Sequence, residues 1–197
     1  MKHSGDLSAS RRLQVGYDGS RRALLVDGVI LSVAVEGSEL PSGYWAAMLP
    51  QGSPKSALLL GLGGGTLAHL LYRRDPGIQM VGVDADAEVI RFALEHFDLA
   101  LPNLETVVGD AFEYVERCAR GFDYVAVDLF AGHDFQRAVL AKPFLRQLRS
   151  MVGRGGEVVF NLFKDRRTEQ RLMRIARVLR VSRVEAVGKN VVVHCRG

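Results

Sequence analysis

The sequence predicts an α/β domain: a doubly wound, mostly parallel seven-stranded sheet preceded by a small N-terminal β-hairpin. Three observations carry that expectation. From Ser56 onward, short apolar runs of strand length alternate with stretches of helical period, the pattern of a parallel sheet covered on both faces. Glycines cluster directly behind the first of those runs, in LLLGLGGGTL over residues 58–67. Further upstream, Asp27-Gly28 separates two β-rich runs in RRALLVDGVILSV, and that dipeptide supplies the positive φ angles of a two-residue hairpin turn.

The elements follow in order. Residues 1–10 are small and polar and are expected to fray. After the hairpin, a segment with Pro41, Gly43, Pro50, Gly52 and Pro54 encloses the apolar piece YWAAML and reads as a connector with one helical turn. We therefore divide the chain into an extension and connector, residues 1–52, and a main domain, residues 53–197. SALLL is a buried strand and TLAHLLYRR a helix; IQMVGV is a strand and AEVIRFALEHF a helix with Val89, Ala93 and Phe97 a turn apart. Strand LETVVG, helix AFEYVERC, strand FDYVAVDLF, helix KPFLRQLRSMV and strand GEVVFNLF continue the alternation. A last helix leads into two closing strands, SRVEAV and NVVVHC, joined at Gly188-Lys189.

Composition narrows the class. With 197 residues, 48% hydrophobic and 24% charged, the chain has the size and balance of one globular domain. It contains no run of about 20 apolar residues and no apolar segment near its start, so we expect a cytoplasmic protein without a membrane partner. Cys118 and Cys195 lie far apart, outside any CxxC or histidine cluster, and we expect neither a metal site nor a disulfide framework. The net charge of +4 is concentrated in KDRRTEQRLMRIARVLRVSR. Such a stretch is either a nucleic-acid footprint or the solvated face of an amphipathic helix; Leu172, Ile175, Ala176 and Leu179 at helical spacing favour the second.

In doubly wound sheets, ligands sit beyond the carboxyl ends of the strands where strand order reverses, and the glycine run occupies such a place. Gly61, Gly63, Gly64 and Gly65 let backbone approach a small ligand at a helix start; the plain alternative is a tight turn packed on itself. The acidic residues weigh on the first side. Asp84, followed by Ala85, ends the second strand about 20 residues on, where a carboxylate accepts from ribose hydroxyls. Asp110 ends the third strand, where it can accept from a purine amino group, and Asp128 ends the fourth. Any one alone would be an ordinary helix cap, but three on one rim describe a nucleoside site. A dinucleotide fingerprint would need a glycine where Thr66 stands, so the spacing Gly61, Gly63, Gly65 favours S-adenosylmethionine.

Taken together, LLVDGVILSV, LLLGLGGGTL, VDADAEVI, VVGDAFEYV, FDYVAVDLF and FLRQLRSMVGRGGEVVFNL resemble the spermidine synthase-like superfamily of class I, Rossmann-like methyltransferase folds over residues 22–163. The resemblance implies that Gly61, Gly63 and Gly65 line the methionine side of the cofactor. It implies that Asp84 holds the ribose, that Asp110 and the backbone of Ala111 read the adenine, and that Asp128 lies beside the attacking amine. A homodimer formed through the hairpin is implied as well. Departures from the family pattern are equally plain. The glycine loop of spermidine synthases carries an aspartate where Gly63 stands here; their tyrosine near the hairpin exit is kept as Tyr44, but the next two positions are Trp45 and Ala46. In the loop DLFAGHD a second aspartate comes only at Asp134.

A diamine is a dication, and burying it without paired carboxylates costs several kcal/mol. We therefore expect a methyltransferase acting on a small-molecule acceptor, with Asp128 as the catalytic residue and His133 and Asp134 as possible helpers. Trp45 either makes the acceptor pocket more aromatic or packs beneath the hairpin. Aminopropyl transfer from decarboxylated S-adenosylmethionine is the first alternative, and a non-catalytic module holding nucleic acid or protein through the arginine-rich helix is the second.

Overall fold

The computed structural model describes residues 12–38, 40–41, 43–131 and 134–197. The expectation of fraying at residues 1–10 and the candidate helper His133 lie outside them.

The chain opens with β1 (Leu13–Asp18), β2 (Arg21–Val26) and β3 (Val29–Val33), an antiparallel sheet in sequence order. Asp27 at φ 50° and Gly28 at φ 80° form the expected two-residue turn between β2 and β3. The strand β1 was not anticipated. Its residues LQVGYD alternate only weakly in burial, and its link to β2 turns on Gly19 at φ 59°. The connector then makes one helical turn, with the Met48 amide donating to the Tyr44 carbonyl at 3.0 Å.

Seven described strands build the main sheet: β4 (Ser56–Leu60), β5 (Gln79–Asp84), β6 (Leu104–Val108), β7 (Tyr124–Val127), β10 (Glu157–Phe163), β11 (Arg180–Val187) and β12 (Asn190–Arg196). Their order is β11-β12-β10-β7-β4-β5-β6, with every neighbour pair parallel except those that involve β12. The short strands β8 (Phe130–Ala131) and β9 (Asp134–Phe135) pair with each other just past β7. The helices α1 (Thr66–Arg74), α2 (Ala87–His96), α3 (Ala111–Arg117), α4 (Lys142–Val152) and α5 (Thr168–Ala176) fall where the apolar periods predict them. The last is shorter than its arginine-rich surroundings, because Arg180 already starts β11; Ile175 and Leu179 are buried, whereas Ala176 is exposed.

Alternate residues of each strand feed opposite faces, as a period of two requires. Leu58, Leu60, Val125, Val127, Val158 and Phe160 pack against α3, α4 and α5. Ala57, Leu59, Tyr124, Ala126 and Val159 pack against α1, the connector's Trp45 and Met48, and Ala23 and Val33 of the N-terminal sheet. Of the two readings of Trp45, packing is the one realised: it is 7% exposed within that core.

From β4 the chain moves to β5 and β6 on one side, then returns to place β7 on the other. The order reverses between β4 and β7, and in such sheets ligands are held beyond the carboxyl ends of the strands at that point.

Candidate functional site

The glycine run leaves β4 by bonding to β5: the amides of Gly61 and Leu62 both donate to the Val83 carbonyl, at 2.9 and 3.1 Å. Gly61 sits at φ 86°, and a Cβ there would overlap the Asp128 carbonyl oxygen. Bare backbone is thus needed for the loop to lie against the end of β7. A second constraint comes from the N-terminal sheet. The Gly64 amide donates to Ser32 Oγ at 2.7 Å, and a Cβ on Gly63 or Gly64 would press on Ser32. Thr66 completes the joint, accepting from the Val33 amide at 2.8 Å and donating to its carbonyl at 2.7 Å. Gly65, at φ 84°, faces Leu99. The loop is therefore packed on all these neighbours, and it also ends in a helix start without a side-chain cap.

Asp84 is the last residue of β5, and its carboxylate ties the loop down. Oδ2 accepts from the Gly63 amide at 2.8 Å and Oδ1 from the Asp86 amide at 3.1 Å. Burial raises its pKa above the ordinary carboxylate value, against the pull of those amide donors. The Leu62 amide is a third donor toward the carboxylate, and of its roughly four acceptor positions capacity remains for a hydroxyl donor. Ala85, beside it, is exposed.

Asp110 follows β6 and caps α3, with Oδ1 accepting from the amides of Phe112 at 2.8 Å and Glu113 at 3.0 Å. Both bonds use one oxygen, so Oδ2 retains its acceptor capacity. The link to Asp84 is through backbone: the Gly109 amide donates to the Asp84 carbonyl at 2.9 Å. Ala111 opens α3 with its methyl buried.

Asp128 stands one residue past β7, where its amide still donates to the Leu60 carbonyl at 2.8 Å. Its carboxylate is held from both sides. Tyr44 Oη donates to Oδ2 at 2.8 Å, and Asn161 Nδ2 donates to Oδ1 at 2.8 Å. Asn161 is itself held by Asn190, whose Nδ2 donates to Asn161 Oδ1 at 2.8 Å. Loss of solvent pushes the Asp128 pKa up to about 6; the donors Asn161 and Tyr44 pull the other way, and the charge of Asp84 adds to the rise. Burial, then the Asp128 charge, lifts the Tyr44 phenol well above its usual value, so it remains a donor at neutral pH.

Sequence reasoning singled out Asp84, Asp110 and Asp128, and each stands at the carboxyl end of its strand. It missed Asn161, Asn190, Ser32 and Thr66. For Asn161 a signal existed: it is the lone amide inside the apolar strand EVVFNLF and is 1% exposed. Nothing local in the sequence betrays Ser32 or Thr66, whose partners lie more than thirty residues away.

A second polar cluster lies at the opposite end of β10. Glu157 accepts from His194 Nδ1 at 2.5 Å and from the Gln51 amide at 3.2 Å, and Arg183 Nη2 donates to the Ala47 carbonyl at 2.9 Å. Tyr124 Oη donates to the Met48 carbonyl at 2.6 Å. These bonds fasten residues 47–51 to the sheet, and with them the turn that presents Tyr44.

Strand order, a single reversed strand and a glycine loop flanked by strand-end carboxylates define a methyltransferase-like Rossmann domain. Within that class, residues 44–185 match the family described as the spermine/spermidine synthase domain, and the chain belongs to this family. A polyamine aminopropyltransferase of Neisseria meningitidis is 28% identical over 170 residues, which cover 83% of this chain and 62% of the relative. The chain therefore spans less than two thirds of that protein's length. Among solved structures, a probable spermidine synthase from Corynebacterium glutamicum shares the fold with a TM-score of 0.82 at 20% identity, covering 95% of this chain and 77% of that one. Human methyltransferase-like protein 13, in complex with SAH, shares it with a TM-score of 0.64 at 20% identity, covering 73% and 72%. Among the described residues, no helix is long and apolar enough to cross a membrane.

Proposed function

We propose that the protein is a transferase that moves the aminopropyl group of decarboxylated S-adenosylmethionine onto an amine held at Asp128. The observation that carries this reading is the Tyr44–Asp128–Asn161 arrangement beside the glycine loop, in a chain most of whose curated relatives are named polyamine aminopropyltransferases, one being named an eEF1A lysine and N-terminal methyltransferase homolog. The donor set fits an adenosyl group. Asp84 keeps acceptor capacity for a ribose hydroxyl, Asp110 Oδ2 for an adenine amino group, and the α1 terminus has amides for polar atoms of the tail. When bound, the sulfonium supplies an electrophilic carbon and a neutral thioether leaving group.

The work of this chain's residues is alignment and proton removal. Tyr44 and Asn161 fix the rotation of the Asp128 carboxylate. Asp128 accepts a proton from the acceptor ammonium, freeing the nitrogen lone pair to form the new N–C bond as the C–S bond breaks. A carboxylate with a pKa near 6 is ionised at neutral pH yet basic enough to share that proton.

Methyl transfer from S-adenosylmethionine is the second reading, favoured by Gly63 at the position where spermidine synthases carry an aspartate. One experiment separates them: initial rates of product formation with the two sulfonium donors and putrescine as acceptor. Turnover with the decarboxylated donor supports the first reading. Turnover only with S-adenosylmethionine and another acceptor overturns it.

A further inference from the structure

We propose that the face formed by α4, the end of α5 and the last residues of β12 is a docking surface for the phosphate backbone of a single-stranded nucleic acid. Four guanidinium groups from four separate elements line one depression of about 370 Å³: Arg149, Arg177, Arg180 and Arg196. Of these, Arg196 has an acidic partner, Glu157 at 3.7 Å, while Arg149 donates only to the Val178 carbonyl at 3.3 Å. Arg177 and Arg180 form no ion pair among the described residues, and both are exposed.

Two rows of cations reach that depression at Arg149 and at Arg177 and Arg180. On α4, Lys142, Arg146 and Arg149 are exposed at spacings of four and three residues, beside the buried row of Leu145, Leu148 and Met151. On the other side Arg174, Arg177 and Arg180 follow at intervals of three. At about 1.5 Å of rise per helical residue, successive charges stand about 4.5–6 Å apart along the helical part of each row. A single phosphate or nucleotide would use the depression alone; the rows extend beyond it and fit a chain of phosphates, whose charges repeat along each strand. Guanidinium groups suit phosphate oxygens because their fork of donors matches them in pairs. The position separates this face from the candidate active site. Arg196 pairs with Glu157 at the first residue of β10, whereas Asp128 and the glycine loop lie at the carboxyl ends of the strands. Nucleic acid bound here leaves the candidate active site open.

The test is fluorescence anisotropy of a labelled 15-nucleotide single strand titrated with the full chain at several salt concentrations, comparing wild type with the triple variant Arg149→Ala, Arg177→Ala, Arg180→Ala. We expect measurable association at about 0.1 M salt. The triple variant should bind at least tenfold more weakly, and its slope of log affinity on log salt should be shallower by about 2 for three lost phosphate contacts. Arg177→Glu alone, a change at an exposed position, should act in the same direction, so the result does not depend on the triple variant folding. Thermal stabilisation by S-adenosylhomocysteine should be the same in wild type and variants, whatever group the enzyme transfers. Three results overturn the proposal: no association at that salt; equal loss in a control lacking Arg91, Arg117 and Arg120; or association that inorganic phosphate or anionic phosphatidylserine vesicles displace as readily as unlabelled strand.

Discussion

The proposed chemistry turns on Asp128, whose oxygens are held one by a phenol and one by an amide. Its raised pKa has two consequences of opposite sign. Below the unfolded value the carboxyl is protonated in both states, and the fold loses up to about 3 kcal/mol of stability as pH climbs from about 4 to 6, because the native state holds the proton more tightly. In the proposed reaction activity runs the other way, since there the ionised form acts as base: kcat/KM should rise through an apparent pKa near 6. Rate profiles from pH 5 to 8 check this, and Asp128→Asn should remove the limb and lower kcat by about 100-fold or more. Tyr44→Phe deletes a donor that depresses the pKa, so the limb should move to higher pH with Asp128 still present. Asp128 was legible in the sequence because it ends an apolar strand at a topologically special place. Its bonds to Tyr44 and Asn161 were not: the resemblance marked Tyr44 and the apolar strand marked Asn161 as unusual, but a tyrosine in an irregular connector and an amide inside β10 meet Asp128 only after the sheet is assembled.

The helices and parallel strands were readable because each buries one face and writes its period into the chain; α1, α4 and β4 have the predicted bounds. What escaped was the joint between β3 and the glycine loop, which depends on hydroxyls that could equally face solvent. It explains why a four-glycine loop is compatible with a rigid site: Ser32 and Thr66 hold the backbone that side chains would otherwise have to steady. Ser32→Ala leaves the Gly64 amide buried without its acceptor and should cost about 1–3 kcal/mol, measurable by urea unfolding. Adenosyl binding should weaken in the same variant. At the far end of β10, Glu157→Gln weakens the buried hydrogen bonds that Glu157 accepts from His194 and from the Gln51 amide, and the expected loss is about 1–3 kcal/mol. That loss should come with a raised KM for the acceptor, since the same cluster anchors the segment carrying Tyr44.

At the scale of the whole sheet, Asp84, Asp110 and Asp128 stand at the carboxyl ends of parallel strands, while Arg149, Arg177, Arg180 and Arg196 line a depression away from them. A saturating adenosyl thioether at about 100 times its Kd should add about 2.7 kcal/mol, and a melting scan should register a rise of roughly 5–10 °C for a domain of this size. Asp84→Ala should erase most of that increment, and because it leaves the Gly63 amide without its acceptor it should also lower the ligand-free transition by a few degrees, so the readout is the ligand-induced shift within each variant. The one strand that runs backward, β12, delivers Gly197 to the start of β10, where its amide donates to the Gly156 carbonyl at 3.2 Å. A fluorophore or surface tether attached beside that glycine would emerge at the end of the sheet remote from Asp84 and Asp128, so immobilised or labelled protein should keep that rim unobstructed.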